Sequence, residues 1–498
     1  PAERPQETDS MTQGLQPARW RLTRAAVLAA VAATAVVVME THGVGQTSGS
    51  PAPAAPADVR FMTLDPGHFH AALVQKEMYP GVSPQVDVYA PLGPDLLGHL
   101  ARVSAYNLRP ASPTAWRLDV HTGPDYLERM LREKPGNVVV LSGRNAGKID
   151  RVGASVDAGL NVLVDKPWIL ASADLPKLAH ALDEADRRKL VAFDIMTERF
   201  EASNALQRAL VMDAAVFGDI VPGTPAEPGV YIESVHHLMK VVSGAPNIRP
   251  TWFFEVSQQG EGFNDIGTHL VDLVQWTLSP ERAVDAKTDV KVLDAYRWPT
   301  MIPEADFRRV TGTAGFPDSL KAQVKDGALE YFCNTFVTYA LRGVHTSLNV
   351  IWDWEAPAGG GDTHFAVYRG TRARIEARQT KADGYKPEVY IVPNRATDAP
   401  AILAAARARV AAVAGEWPGV GAEMKGPEIK LVIPDALRVG HEAHFAQVTT
   451  RFLSYLRDRS KLPAWERPNM LAKYTVTTLG TEMSRTVPVK VAPRLAPR

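Results

Sequence analysis

The chain has 498 residues, with 55 basic and 55 acidic side chains and a hydrophobic fraction of 45%. This balance is typical of a globular protein with two or three domains, and without a net charge or a basic stripe it gives no support for a nucleic-acid partner. The single cysteine, Cys333, excludes an intramolecular disulfide and a cysteine-based metal site.

The first 57 residues have the composition of a targeting segment followed by a linker. Three arginines between positions 19 and 24 precede an uncharged run at 25–39, which is short for a membrane span. The next Lys or Arg is Arg60, so the body of the chain is expected to cross the membrane. We therefore expect an exported protein, either periplasmic or held by an uncleaved anchor facing the periplasm, with a flexible linker at 43–58.

From residue 59 onward, short apolar strands alternate with helices. The pattern predicts strands at 59–64, 85–90, 116–120, 137–141, 161–164 and 190–193, and helices at 71–78, 126–133, 149–158 and 173–185. This alternation is typical of a doubly wound parallel sheet, in which ligands bind at the carboxyl ends of the strands. Three polar segments, 65–70, 142–145 and 165–167, follow predicted strands. Together they predict a ligand site at that edge of the sheet.

After about residue 215 the sequence becomes rich in alternating and aromatic segments that favour β-structure. They predict strands at 251–256, 335–339, 347–352 and 364–368, and hence a second domain with a largely antiparallel sheet. Helices are predicted at 400–414, 441–457 and 470–485. The apolar stripe of 441–457 indicates core packing rather than a functional site.

A glycine-rich segment at 260–267 leads into a helix with a notable spacing of acids and histidine. Asp265 and His269 are four residues apart and share one helix face, and Asp272 lies one further turn along, within reach of His269. An imidazole beside a carboxylate can transfer protons near neutral pH. The alternative is an N-capping aspartate and an ordinary surface histidine, and the spacing alone leaves both open.

This motif, together with Val-Asp-Lys-Pro at 164–167, resembles the Gfo/Idh/MocA-type oxidoreductases and, within them, the branch defined by an oxidoreductase C-terminal domain. The resemblance covers residues 58–380 and returns at 465–473. It implies a Rossmann domain at 58–200 and an α+β domain with a large, mostly antiparallel open sheet at 201–498. It also implies bound NAD or NADP, a sugar or sugar-derivative substrate, and a homo-oligomer formed through the C-terminal sheet.

The resemblance assigns the reaction to Lys166, Asp265 and His269. Lys166 would favour the developing alkoxide, His269 would take the hydroxyl proton, and Asp265 would orient His269 or bind a neighbouring hydroxyl. The residues expected to contact the cofactor are Asp65, Gly67, His68, Phe69, His70, Ser142, Arg144, Asn145, Asp165 and Lys166. The residues expected to contact the substrate are Glu198, Arg199, His236, His237 and Asp265.

The dinucleotide fingerprint departs from the family pattern. Gly67 keeps the middle glycine of Gly-x-Gly-x-x-Gly, but Asp65 and His70 occupy the outer positions, where an acid would repel phosphate unless it faces away. The second strand ends at Ala90 without the acid that would bind a ribose hydroxyl. The choice between NAD and NADP therefore remains open.

Four histidines, His68, His70, His236 and His237, raise the possibility of a metal site. No third ligand type of matching spacing appears in the sequence, and the family requires no metal. We therefore expect no metal, and we interpret His68 and His70 as lining the phosphate or substrate cleft.

Two other functions use the same residues. A glycoside hydrolase with tightly held NAD would cleave its substrate through transient oxidation and elimination, which suits an exported enzyme without a pool of reduced cofactor. A non-catalytic sugar-binding protein would explain the altered glycine motif. The presence of Lys166, Asp265 and His269 together argues against this last alternative.

Overall fold

The computed structural model describes residues 58–242 and 245–494. The predicted export signal or anchor at 1–57 lies outside the described residues. Within the described part of the chain, no helix is both long enough and apolar enough to cross a membrane.

The N-terminal part forms a parallel sheet of six strands in the order β3-β2-β1-β4-β5-β6. Its strands are β1 Phe61–Leu64, β2 Gln85–Ala90, β3 Arg117–Thr122, β4 Val138–Leu141, β5 Asn161–Val164 and β6 Ala192–Asp194. Its helices are α1 His70–Val74, α2 Pro94–Leu108, α3 Tyr126–Glu133, α4 Lys148–Asp157 and α5 Leu175–Arg187. The continuous apolar runs of the central strands are buried between the helix layers, as parallel sheets require. The predicted doubly wound sheet is thus confirmed.

Helix α2 is the one element of this sheet domain that the sequence analysis missed. Its start carries two helix signals, because Pro94 occupies the first turn and Asp95 lies beside it. The helix places Asp95 at the carboxyl end of the sheet, next to the turn that follows β1. The missed helix is therefore also a missed part of the candidate site.

The C-terminal part forms a ten-stranded sheet in the order β10-β12-β13-β7-β14-β15-β16-β18-β17, with β11 paired to β12. Strands β7 and β13 run parallel, and the other pairs described in this sheet are antiparallel, as predicted. The strands of this sheet are β7 Val230–Met239, β10 Val290–Pro303, β11 Val324–Lys325, β12 Ala328–Leu341, β13 Val344–Glu355, β14 Thr363–Arg369, β15 Ala373–Gln379, β16 Glu388–Pro393, β17 Gly421–Lys425 and β18 Glu428–Val432. Strands β8 Val241–Val242 and β9 Ala245–Pro246 form a separate two-stranded sheet. The helices are α6 Ala202–Val211, α7 Val256–Gln259, α8 Gly262–Leu278, α9 Glu304–Thr311, α10 Ala399–Ala412, α11 His441–Arg457 and α12 Glu466–Ser484.

The predicted strand at 251–256 is wrong, because this segment forms a 3-10 turn, Thr251–Phe254, that leads into α7. Its three consecutive aromatic residues, Trp252, Phe253 and Phe254, are all buried. A strand would direct successive side chains to opposite faces, whereas the turn packs all three into the interior. Their high β-propensity is overridden by this packing.

The last two helices return to the parallel sheet. Phe445, Val448 and Phe452 of α11 belong to the apolar core on one side of that sheet, as the predicted stripe required. Met470 and Tyr474 of α12 join the core on the other side. The two sheets therefore share helices, and the ends of α11 and α12 lie near the carboxyl edge of the parallel strands.

Candidate active site

The start of α8 is fixed by local sequence. Glu261 is the N-cap of a capping box, in which the Asn264 side chain accepts a hydrogen bond from the Glu261 backbone N–H at 3.2 Å. Gly262 lets the helix approach β12, because a Cβ there would lie 1.8 Å from the Cys333 carbonyl oxygen. The first turn of α8 is thereby held against the sheet, facing the end of β5.

Lys166, directly after β5, reaches the first turn of α8. Its ammonium forms an ion pair with the Asp265 carboxylate and donates to the Asp265 carbonyl oxygen at 3.1 Å. Burial favours the neutral acid, but the Lys166 charge and hydrogen bond outweigh it and lower the pKa of Asp265 to about 2. The Gln259 amide donates to the other carboxylate oxygen at 3.3 Å. The site therefore contains a charged lysine held by an ionised aspartate.

His269 lies one turn after Asp265 and is buried. Burial, with a smaller effect of the Lys166 charge, lowers its pKa to about 3, so the imidazole is neutral at neutral pH. Its Nδ1 has no hydrogen-bond partner in the part of the chain that the structure describes. A neutral ring with a buried, unpaired nitrogen can form a hydrogen bond with a substrate hydroxyl.

The expected contact between Asp272 and His269 is not formed. Arg199 instead binds Asp272 through two hydrogen bonds of 2.6 and 2.7 Å and contacts Glu466 at 2.5 Å, while Lys473 donates to Asp272 at 3.1 Å. The Arg199 guanidinium thus ties α8 to α12, and its contact with a substrate stays a prediction. Sequence spacing could not reveal this, because the partners are distant in the chain.

Glu198 lies among histidines, in contrast to its neighbour Arg199. Its carboxylate contacts the Nδ1 of His441 at 3.5 Å, and its charge acts on the pKa values of His269, His364 and His444. Burial disfavours the charged form of Glu198, but the hydrogen bond from His441 and the nearby imidazoles hold its pKa below the usual range. Glu198 is thus an ionised acceptor beside His269.

His441 and His444 were not predicted as site residues. They are three residues apart in the first turn of α11 and share a helix face, which was a readable signal. The apolar stripe of this helix led to its interpretation as core alone. The half-buried His364, whose pKa is lowered to about 4 by desolvation of its ring, was likewise assigned to sheet packing.

The two predicted histidines of β7 share one carboxylate. Asp362 contacts the Nδ1 of His237 at 2.9 Å and the Nδ1 of His236 at 3.3 Å, and it also pairs with Lys240. The side chain of His236 is 21% exposed and that of His237 only 6%. The Asp265 charge also acts on the pKa of His236. His236 is therefore the member of the pair that borders the Lys166–Asp265 ion pair.

The turn between β1 and α1 is closed by its own backbone and by α2. The Gly67 N–H donates to the Asp65 carbonyl oxygen at 2.8 Å, and Asp65 has a positive φ of 47°. A Cβ on Gly67 would lie 3.1 Å from an Asp95 carboxylate oxygen and 3.2 Å from the Trp252 ring. A side chain at the middle glycine would thus contact Asp95 and Trp252 closely, and two acids, Asp65 and Asp95, lie at this turn.

Two arginines balance these acids. Arg151 lies 3.5 Å from the Asp65 carboxylate, and Arg144 lies 3.8 Å from that of Asp95 with its side chain 48% exposed. The Arg144 guanidinium, which reaches solvent, is the group at this turn that would contact a dinucleotide phosphate, because the space beside Gly67 is already filled by Asp95 and Trp252. The turn therefore suits the cofactor through arginine rather than through a glycine-rich backbone alone.

The remaining residues of this edge are engaged within the protein. Asn145 donates to the Gln259 carbonyl oxygen at 2.6 Å, and the buried Lys148 donates to the Asn145 amide oxygen at 2.5 Å. These contacts join the loop after β4 to the segment before α8. The half-buried Phe69 packs between two imidazoles, with ring centroids 4.7 Å from His68 and 4.5 Å from His70.

Asp165 is the centre of the last group. One of its carboxylate oxygens, Oδ2, contacts the Nδ1 of His70 at 2.9 Å and that of His68 at 3.3 Å, and accepts the Ser142 hydroxyl at 2.8 Å. Burial lowers the pKa of His70 to about 3, while the neighbouring His70 imidazole holds the pKa of Asp165 well below its ordinary value against the effect of burial. Ser142, His68 and His70 thus meet Asp165 at one point.

Comparison with known proteins gives one match in sequence and many in fold. Residues 206–485 match the family model described as "Putative oxidoreductase C terminal domain". The crystal structure of a protein from Parabacteroides merdae, titled a putative oxidoreductase, is 45% identical, with a TM-score of 0.84 over 87% of this chain and 98% of that chain. Among curated proteins, none matches the chain.

Two further structures share the fold at low identity. Levoglucosan dehydrogenase in complex with NADH is 13% identical, with a TM-score of 0.53 over 86% of this chain and 98% of that chain. GenD2 from gentamicin A biosynthesis, in complex with NAD, is 14% identical, with a TM-score of 0.53 over 87% of this chain and 96% of that chain. Both have the two-sheet architecture described above.

Proposed function

Because the chain belongs to the Gfo/Idh/MocA-type oxidoreductases, in the branch with this C-terminal domain, we propose that it transfers a hydride between NAD(P) and a sugar or sugar derivative. The observation that carries this proposal is the Lys166–Asp265 ion pair beside His269, whose buried Nδ1 has no partner among the described residues. A cation and a neutral base next to each other are what oxidation of a hydroxyl requires.

The cofactor would lie across the carboxyl ends of β1 and β4, held by the turn at Gly67 and by Arg144. When bound, it supplies the carbon that accepts or returns the hydride. The structures of levoglucosan dehydrogenase and GenD2, which contain NADH and NAD, support this placement by analogy of fold. The experiment below distinguishes NAD from NADP and tests how tightly the cofactor is held.

Each polar group then has a distinct role. His269 takes the proton of the substrate hydroxyl, for which its neutral state is required. Lys166 stabilises the alkoxide oxygen as negative charge develops. Asp265 holds Lys166 in place through their ion pair, which differs from the expected role of orienting His269.

The substrate would be bound by the polar groups that surround this centre. Glu198, His236 and His441 present acceptors and donors from three different elements. Such a ring of hydrogen-bonding groups suits a molecule with several hydroxyls. Association of two chains through the C-terminal sheet and export by the N-terminal segment both remain predictions.

The test begins with the compound released from the purified protein on denaturation, identified by absorbance and mass. Stoichiometric NAD or NADP is expected; its absence, with no binding on titration, would contradict the proposal. Hydride transfer then predicts net reduction of the cofactor by a sugar, whereas cleavage of a glycoside without net NADH would indicate the hydrolase. A sugar that binds but is not converted would indicate the non-catalytic alternative.

The variant His269→Ala checks the site assignment. Loss of the base is expected to lower turnover by about 10²–10⁴-fold while cofactor content stays unchanged. The matched control is His180→Ala, since His180 is an exposed histidine on α5. Loss of bound cofactor in His269→Ala alone would place the site elsewhere.

A further inference from the structure

We propose that His68, His70 and Asp165 form a binding site for one divalent transition-metal ion of the zinc type. The three residues come from the ends of β1 and β5, so that the parallel sheet, rather than the sequence spacing, brings them together. The inference does not rest on hydride transfer, because it concerns the ion-binding properties of these three side chains alone.

The distances suit direct coordination. The Nδ1 atoms of His70 and His68 lie 2.9 and 3.3 Å from Oδ2 of Asp165, and the three ligand atoms are all within 4.8 Å of one another. Zinc bonds to imidazole nitrogen and carboxylate oxygen are about 2.0–2.2 Å long, which places neighbouring ligand atoms about 3.0–3.5 Å apart in tetrahedral or octahedral geometry. An ion can therefore be accommodated with small side-chain shifts.

Hydrogen bonds leave some buried polar atoms of His68 and Asp165 without a partner among the described residues. Both imidazoles and the Ser142 hydroxyl converge on Oδ2 of Asp165, whereas its other oxygen, Oδ1, is buried without a partner among the residues described. The Nδ1 of His68 also lacks a hydrogen bond of good geometry there. Buried polar atoms are normally paired, so convergence on one oxygen beside an empty one calls for a missing partner. A cation at the convergence point is such a partner.

The surroundings are those of a metal site with open positions. Two imidazoles and one carboxylate form a ligand set that leaves room for water or a ligand oxygen on the ion. Ser142 would orient the carboxylate, as outer hydrogen bonds commonly do at metal centres. The His68 side chain is 17% exposed, so the open positions would be reachable from solvent.

A second group of possible ligands, Asp87, Asp119 and His121, lies on neighbouring strands β2 and β3. There Asp87 already pairs with the Arg60 guanidinium at 2.6 Å, and Asp119 is exposed. The Arg60 guanidinium therefore already neutralises Asp87, the buried acid of that group. This group provides the matched control for the site at Asp165.

The expectation of no metal is thus replaced. It rested on the lack of a third ligand near the two histidines, and Asp165 supplies that ligand from 95 positions further along the chain.

The test is binding of Zn²⁺ alone to the full chain after chelator treatment, measured by calorimetry, with Co²⁺ absorption as a report on the ligands. One equivalent is expected, with affinity at least about tenfold lower in His68→Ala and His70→Ala and intermediate in Ser142→Ala. His121→Ala should bind as the parent does. His68→Ala is the decisive variant because the His68 side chain is partly exposed and its Nδ1 has no hydrogen-bond partner among the described residues, so its loss should leave the fold intact by circular dichroism.

Absence of stoichiometric binding, or binding that survives in His68→Ala and is lost in His121→Ala, would overturn the proposal. NAD(P) content is measured on the same samples. Protein that carries NAD(P) and binds no zinc would contradict the metal site and leave the proposed oxidoreductase untouched. Protein that binds zinc at this site and neither carries nor binds NAD(P) would support the metal site and contradict the proposed oxidoreductase.

Discussion

The two ends of the candidate site are built from different kinds of contact. At the α8 end, one cation and one anion, Lys166 and Asp265, pair beside a neutral imidazole. At the turn between β1 and α1, acids and histidines occupy positions where the family fingerprint has glycine, and they contact one another. The first end keeps the chemistry of the family motif, while the second has been rebuilt with side chains.

This difference shows where a Rossmann site tolerates change. The groups that stabilise charge at the reacting hydroxyl must match in sign and position. Replacing one of them therefore leaves its partner buried without an opposite charge. A phosphate can be bound by backbone or by arginine, so the turn can change as long as cations such as Arg144 replace the lost contacts. The glycine motif is therefore the less informative of the two features when the sequence is read.

The largest effect is expected from Lys166→Met. Removing one partner of a buried ion pair leaves the Asp265 carboxylate uncompensated and should cost about 3–5 kcal/mol in the free energy of unfolding. Turnover should fall by about 10²–10³-fold, because the developing alkoxide loses its cation. Urea denaturation and steady-state kinetics check both values.

The double variant Lys166→Met with Asp265→Asn is the control. It removes both charges and should recover most of the stability without recovering turnover. A single variant as stable as the parent would show that the ion pair does not hold the α8 end together.

Acid should destabilise the protein through its buried histidines, both inside and outside the site. The folded pKa values of His269 and His99 are lowered to about 3 by burial, so the unfolded chain binds protons at a higher pH than the folded one. Their contribution to stability is complete above pH 6.5 and is lost as the pH falls from 6.5 toward 3, at about 1.4 kcal/mol per pH unit for each histidine.

Replacing either histidine should reduce this pH slope equally, although only His269→Ala should affect turnover. Denaturant midpoints between pH 7 and 4.5 give the slope. A slope that is unchanged in His99→Leu would mean that burial on α2 does not keep that imidazole neutral.

Much of the fold could be predicted because its elements have strong periodic patterns. The ranges of β2, α3, β5 and α11 agree with the sequence prediction at both ends. The segment at 251–256 and helix α2 were missed for opposite reasons. Dense aromatic residues in the first suggested a strand, and the second begins with Pro94 and Asp95, whose helix signals were not used.

Within the candidate site, only the residues that belong to a sequence motif could be predicted. Lys166 and Asp265 were expected to face one cleft, and they are in contact. Their neighbours depend on tertiary packing, because Glu198 meets the histidines of α11 and Arg199 meets Asp272 only after the two sheets share helices. Spacing along one helix suggested Asp272 as a partner of His269, but the Asp272 carboxylate binds Arg199 instead.

The smallest effect is expected at the turn, from Asp95→Asn and Arg144→Ala. If the turn binds phosphate through arginine, removing the Asp95 charge should strengthen binding of NAD(P) severalfold, and removing Arg144 should weaken it by a similar factor, equivalent to about 1 kcal/mol. The effects should shrink in high salt, since Arg144 is exposed. Fluorescence titration at two ionic strengths measures them. If neither variant changes cofactor affinity while Lys166→Met does, phosphate binding lies away from Gly67, and the two ends do not belong to one dinucleotide site.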